Sequence, residues 1–461
     1  MKRILLSIVC LAIAIGASAQ GGTAKDGQPE NTKPKKVKIT PYGFVRNYLL
    51  FDSRNTYTVV GDEYNMIPYD EKWNGTPAEC EAMGVERVDL NAVPQTSFQA
   101  LTTRFGLNIE GPSVFGAATS GKVEGDFGGF GTTNTVLRLR LAFVKLTWSN
   151  DQGLRQELLA GQYWHPLSGD IMPEVLGMAS GAPFRAHSRT PQLTYTFTHG
   201  NLGFTASALY QLQYMYNGPS YSNGVWSSVS SLDYVKQGLI PEVFLGVQYS
   251  GEHVYTQLGS TCQTLKPRTV GYKTVDALGS TIAVPVKERL TSFTPTFYFQ
   301  YTKDLLAIKF RTLLAQNTSH VNQLNGYGVS NVLPDGSWEY APLRATISYL
   351  NVAVGKTYRA NLFLGYMKNL GAGKDLYNFG TEQAVRHLIF MKAGENFTHL
   401  NSVWRVAPSI SYNLKHFNIG LEYEWTACTY GDQVANGSIV TNDNLHMVDN
   451  HRLCALIKYN F

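Results

Sequence analysis

The sequence predicts an all-β protein: a transmembrane, antiparallel, up-and-down β-barrel of about sixteen strands. Three observations carry this. Apolar and polar residues alternate with a period of two in segment after segment. The connections between segments alternate between short and long. An apparent export signal precedes a chain with few charges, many aromatic residues and no later apolar run of helix-spanning length.

Residues 1–19 read as a signal peptide. Lys2 and Arg3 form a basic start, the stretch ILLSIVCLAIAIG is an apolar h-region, and Ala17-Ser18-Ala19 offers small residues for cleavage before Gln20. Cys10 lies inside the h-region, away from the cleavage point where a lipid-bearing cysteine would stand. Residues 20–36, rich in Gly, Pro and Lys, read as a disordered polar lead-in. The barrel is expected over 37–461.

The clearest alternation lies near the end. Phe417, Ile419, Leu421, Tyr423 and Trp425 take one face, and Asn418, Gly420, Glu422, Glu424 and Thr426 the other. Leu306, Ile308 and Phe310 oppose Lys309 and Arg311, and Leu137, Leu139, Leu141 and Phe143 oppose Arg138 and Arg140. The final stretch alternates Leu453, Ala455, Ile457, Tyr459 and Phe461 against charged and polar neighbours, with Leu456 as the exception. The strands so read span 37–54, 97–112, 120–130, 135–149, 154–165, 191–199, 202–215 and 240–250. The second half spans 253–265, 290–302, 305–318, 344–355, 358–369, 402–415, 417–429 and 447–461.

Short turns fall at 149–153, 199–201, 250–252, 302–304, 355–357 and 415–417. The long segments are 55–96, 166–190, 216–239, 266–289, 319–343, 370–401 and 430–446, with 131–134 a short member of that class. Outer-membrane barrels alternate in this way, short turns facing the periplasm and long loops facing outward. A sheet in hydrocarbon cannot leave an edge open, so the last strand is expected to close on the first. Trp404, Tyr412, Tyr423, Trp425, Tyr459 and Phe461 sit near strand ends, where aromatic girdles belong.

Composition agrees. Charged residues make up 16%, below the roughly 25% usual for soluble domains, while the chain holds 27 Tyr, 22 Phe and 7 Trp. A net charge of +5 with dispersed basic residues gives no sign of nucleic-acid binding. Cys80, Cys262, Cys428 and Cys454 lack metal-site spacing. Cys428 and Cys454 fall on adjacent strands, so either a cross-strand bridge or isolated thiols would satisfy the sequence.

If the apolar parity faces lipid, the other parity lines a bore. It is assigned Arg46, Lys122, Glu124, Asp126, Arg138, Arg140, Gln162, Lys309, Arg311, Arg344, Arg359, Arg405, Glu422, Glu424, Arg452 and Lys458. Basic residues outnumber acidic ones, which points to anion preference, although Lys122, Glu124, Asp126, Arg138 and Arg140 can also neutralise one another. Segment 166–190 is expected to fold inward as a constriction loop, with Asp170, Glu174, Arg185 and Arg189 supplying its charges. The alternative is an ordinary exposed loop.

The stretches GKVEGDFGGFG (121–131), LRLRLAFVKL (137–146), LLAGQYWHP (158–166) and RTPQLTY (189–195) resemble, in this order, the trimeric DcaP-like porins of Gram-negative bacteria. The matching positions are Lys122, Glu124, Asp126, Arg138, Arg140, Gln162, Trp164, Arg189 and Gln192, and the likeness covers about 40–195. The resemblance implies sixteen strands, a homotrimer and uptake of small anionic solutes such as dicarboxylates. Family members can carry an N-terminal coiled coil, but 20–36 has no heptads. The Ala-Gln cleavage junction is similar to that of exported proteins from Bacteroidetes.

His446, Asp449 and His451 read as a solvated loop, and no metal or cofactor is expected. No Ser/His or Asp/His cluster suggests a catalytic site. The expected function is passive diffusion through an outer-membrane porin, with outer-membrane lipid and lipopolysaccharide, small anionic solutes and further copies of the chain as partners. The rival readings are a non-conducting barrel acting through its loops as an adhesin, and a barrel enzyme.

Overall fold

The structure is a computed structural model that describes residues 36–129, 135–168, 172–177, 181–222, 225–377, 399–432 and 443–461. The proposed signal peptide and nearly all of the polar lead-in lie outside the described residues. No described helix is long and apolar enough to cross a membrane. The chain crosses with strands, and the barrel is closed.

The strands are β1 (Lys38–Asp52), β2 (Gln95–Gln99 continued by Arg104–Glu110), β3 (Ala118–Gly129), β4 (Val136–Ser149), β5 (Leu154–Trp164), β6 (Arg189–His199), β7 (Leu202–Leu209) and β8 (Glu242–Ser250). The second half comprises β9 (Val254–Leu265), β10 (Leu290–Lys303), β11 (Leu306–Gln316), β12 (Arg344–Gly355), β13 (Tyr358–Gly371), β14 (Leu400–Asn413), β15 (Phe417–Asp432) and β16 (Asp443–Asn460). Seventeen segments share one sheet; the two parts of β2 both pair with β1 and act as one, which leaves sixteen strands. Every neighbour is antiparallel, and β16 returns to β1, with Phe44 opposite Asn460 and Asp52 opposite Arg452. Closure gives each backbone ladder a partner on both sides, the condition that a hydrocarbon environment imposes.

The two faces separate as the alternation requires. Ile419, Leu421 and Tyr423 are exposed on the outside of β15, while Glu422 and Glu424 are buried inside. Leu453, Ile457 and Tyr459 face outward on β16. The exception in that strand, Leu456, faces inward and joins Tyr48, Leu50 and Cys454 in a small apolar cluster against Leu176.

β4 departs from the expected parity. Leu139 stands opposite Gly125 and Leu141 opposite Glu124, so Arg140 is the extra residue of a bulge. The bulge turns the rest of the strand over. Leu141 is buried, and the Phe143 ring packs edge-on against Tyr163 at 4.8 Å, whereas both were expected on the lipid side. Opposite Phe143, Gly161 adopts φ 130, and a Cβ there would collide with the carbonyl oxygen of Ala142. Only glycine fits.

The barrel is not an open tube. Leu313, Ala345, Ile347, Tyr349, Phe363, Met367, Val403 and Ala407 make the inner wall of β11–β14 apolar. Two segments from the long-loop end cover it. One is a hairpin, Thr56–Val59 paired with Tyr64–Pro68, whose Tyr64, Met66 and Ile67 are fully buried. The other lies between β5 and β6 and contributes Ala182 and Phe184. Cys80, Cys262, Cys428 and Cys454 are free thiols. Cys428 stands opposite Val448 and Cys454 opposite Glu422, so the register keeps them six residues apart along the strands and the conceivable bridge is ruled out.

Candidate pore constriction

The segment between β5 and β6 crosses the bore. At its start the carbonyls of Pro166 and Ser168 receive the Arg311 guanidinium at 3.1 and 3.0 Å. The Met172 carbonyl accepts from Lys309 Nζ at 2.9 Å. The Glu174 carboxylate bridges Lys309 and Arg359, at 3.3 and 2.5 Å, and the Glu174 N–H donates to Asn351. Farther on, the N–H groups of Leu176 and Gly177 donate to Glu422 at 2.7 and 3.3 Å, and Tyr48 donates to the Leu176 carbonyl. The Phe184 ring then lies against Phe363 and over Gly365. The path runs from β5 past β11–β13 to β15 and β1 and back, held by inward-facing charges that satisfy an otherwise orphaned loop backbone.

Beside this loop stands a ladder of paired charges. Arg138 binds Asp126 through Nε at 2.6 Å, and Arg140 bridges Asp126 and Glu124 at 2.6 and 2.7 Å. Glu124 also accepts from Tyr42 at 2.7 Å and lies 3.6 Å from Arg104. Arg140, Arg185 and Arg189 surround the Trp164 ring at 5.8, 5.5 and 4.9 Å. His187 packs edge-on against the same ring. Burial, followed by the charges of Arg185 and Arg189, holds the His187 imidazole well below its ordinary pKa, so the ring is neutral. Arg185 can only donate, so His187 Nδ1 accepts from it. His187 Nε2 therefore carries the proton and donates to the Tyr64 hydroxyl at 2.6 Å.

A second basic group lies toward the short-turn end. Arg46, Arg104 and Lys458 stand over the inward-facing Phe44 ring at 4.6, 5.0 and 4.4 Å, with Arg46 directly opposite Lys458 across the ladder. Lys122 stands over Tyr42 at 4.9 Å. Among the described residues no carboxylate oxygen lies within 4.0 Å of the side-chain nitrogens of Arg46, Lys122 or Lys458. On the wall from β4 to β11 lies a cavity of about 360 Å³, lined by Lys145, Glu157, Tyr163, Trp164, Gln192 and Arg311 among others.

The geometry distributes the expected residues as follows. Arg46, Lys122, Glu124, Asp126, Arg138, Arg140, Lys309, Arg311, Arg359, Arg405, Glu422, Glu424, Arg452 and Lys458 share the parity that turns inward. Arg452 binds Asp52 on β1 at 2.8 Å, and Arg405 lies 3.4 Å from Glu424. One residue differs. Gln162 donates to the carbonyls of Leu139 and Arg140 at 2.8 and 3.0 Å, filling the irregularity that the bulge leaves. Arg344 opens β12 at a register shift that sets it opposite Gly371, with Ala345 opposite Asn369, and its guanidinium stands beside Gly373. Glu174 and Arg185 lie within the crossing segment, Arg189 opens β6 directly after it, and Asp170 lies outside the described residues. The sequence reading missed Arg104, Phe44 and the inserted hairpin. The apolar run Tyr57, Val59, Val60, Tyr64, Met66, Ile67 within a nominally polar loop was the available signal.

A closed sixteen-stranded barrel with short turns at one end, long loops at the other and a loop folded into the bore is the architecture of the outer-membrane porins. No protein-family model matches the chain, and no curated protein matches it by sequence. Among solved structures it is similar to the outer-membrane channel DcaP of Acinetobacter baumannii, with TM-score 0.60 and 15% identity over 92% of this chain and 98% of that one. It is also similar to an anion-selective porin from Comamonas acidovorans, with TM-score 0.51 and 10% identity over 92% of this chain and 100% of that one. At these identities the likeness is one of fold.

Proposed function

We propose that this chain is an outer-membrane porin through which small hydrophilic anions diffuse passively, and that it works as a homotrimer. The observation that carries the reading is the group around Phe44. Three cations stand around one aromatic ring at 4.4–5.0 Å, and Arg46 and Lys458 there lack a carboxylate partner among the described residues. Cation–π contacts are worth roughly 0.5–1 kcal/mol each at wet sites and do not cancel the mutual repulsion of three positive charges. A water-filled bore that admits counter-ions relieves that repulsion and concentrates anions between low-dielectric walls. Arg138 and Arg140, by contrast, are neutralised by Asp126 and Glu124 and serve to hold the wall.

Planar-bilayer recording under a salt gradient tests this. The wild type is expected to give discrete conductance with a reversal potential displaced toward that of chloride. Arg46→Gln combined with Lys458→Gln is expected to move it back toward zero. Failure to conduct would favour the rival reading of a barrel acting through its loops, which draws support from the apolar core that the hairpin and the crossing segment form inside the bore.

A further inference from the structure

We propose that His165, Glu242 and His320 form a binding site for one divalent transition-metal cation of the zinc class. The three come from separate parts of the chain: the first residue after β5, the first residue of β8, and the loop after β11. All three are at most 2% exposed. His165 Nε2 lies 3.3 Å from one Glu242 oxygen and His320 Nε2 lies 3.0 Å from the other. One ligand atom from each fits within 4.8 Å of the others. Ligands at ~2.0–2.1 Å from a tetrahedral zinc stand ~3.3 Å apart, so a cation fits with small side-chain shifts, and two histidines with one carboxylate are a donor set that zinc accepts.

Two further observations point to a cation. His165 Nε2 and Glu242 Oε1 are buried without a hydrogen-bond partner, although they face one another. Among the described residues Glu242 has no Arg or Lys within ion-pairing distance, so its buried charge is balanced only by imidazoles. Gln263 supplies a possible fourth ligand. Its amide nitrogen lies 3.1 Å from His320 Nε2 and 3.3 Å from Glu242 Oε2, and its oxygen accepts from Asn317. Turning both amides over keeps their mutual bond and presents the Gln263 oxygen to the site. Binding through His165 Nε2 places the ring proton on Nδ1, and the 3.2 Å contact from the Leu167 N–H must open. The cation would clamp the start of the crossing segment to the barrel wall, independently of which solute passes.

The test uses the whole detergent-folded protein, stripped with a chelator and titrated with Zn²⁺ alone. About one zinc per chain is expected to remain after gel filtration and to raise the melting temperature. His165→Gln combined with His320→Gln is expected to abolish both effects. Absence of stoichiometric binding by the wild type would leave a metal-free hydrogen-bonded triad and overturn the proposal, as would undiminished binding by the double variant. Should that variant fail to fold, Co²⁺ in the wild type decides. The intense visible bands of a four-coordinate site support the proposal, and the weak spectrum of a solvated octahedral ion overturns it.

Discussion

Arg405 has no exposed surface, and its guanidinium holds both inserted segments at once. It donates to the carbonyls of Asn65 and Met66 in the hairpin, to the Ala182 carbonyl in the crossing segment and to Thr426 on β15. Arg405→Met keeps most of the volume but strands Glu424 and several loop carbonyls in a dry interior. The expected cost is about 3–5 kcal/mol, the range for removing one partner of a buried pair. The readouts are a lowered melting temperature and new protease cleavage within 56–68 and 181–188; an unchanged cleavage pattern would show that these segments are held some other way. The alternation already placed Arg405 on the inward parity. That its partners are backbone groups some 340 and 223 residues away was not legible, because carbonyls carry no sequence signature. Gln162 makes the same point in reverse. Its neighbours in sequence resemble a pore wall, yet a one-residue bulge in the adjacent strand gives its amide two carbonyls to satisfy.

At the scale of elements, the hairpin and the crossing segment each carry a device that can be probed. Glu63 sits at the buried turn of the hairpin. Burial pushes its carboxyl up to about 7, against the pull of Thr102 and Arg46. The released hairpin would titrate near the ordinary value of 4.5, so docking is favoured most below that pH and loses support as pH rises to about 7. The loss is on the order of 3 kcal/mol, because each tenfold change in proton affinity is worth about 1.4 kcal/mol. Hydrogen exchange over 56–68, corrected for intrinsic rates, is expected to show more frequent opening at pH 8 than at pH 5. Glu63→Gln is expected to remove the difference; a pH dependence that survives it would assign the effect to another group. In the crossing segment, Gly365 leaves space for Phe184, and a Cβ there would lie 2.5 Å from the ring. Gly365→Ala is expected to displace Phe184 at a cost of about 1–3 kcal/mol and to change single-channel conductance, while the strand ladder keeps its melting behaviour. The strands and the alternation of short and long connections were legible because period-two patterning and turn residues act locally. The inserted hairpin showed only as an apolar run in a nominally polar loop, and the barrel around it decides that the run points inward.

On the scale of the whole molecule, two surfaces usually kept apart coexist inside one cylinder. From β16 through β1 to β3 the inner wall is basic and aromatic. From β11 to β14 a large apolar area, covered by loops, lies among Lys309, Arg311, Arg359 and Arg405, whereas the alternation assigns apolar residues to the lipid side. A wall of Ile347, Met367, Val403 and Ala407 is stable facing inward only while something excludes water from it. The closed ladder does not depend on that cover, because β16 pairs with β1 and each strand with its neighbours whatever occupies the lumen. Replacing residues 172–187 with a short Gly/Ser linker should therefore leave a folded barrel that still resists unfolding in warm dodecyl sulfate. Three consequences follow from the exposed geometry. Conductance should rise several-fold as the crossing segment leaves the bore. Anion preference should weaken but persist, because Arg46, Arg104 and Lys458 stand on the wall and not on the loop. The uncovered apolar wall should bind an environment-sensitive hydrophobic dye that the wild type excludes. If conductance stayed at the wild-type level, the segment would not be what limits flow. If anion preference vanished with it, the charges that select would belong to the loop, and the group around Phe44 would be structural alone.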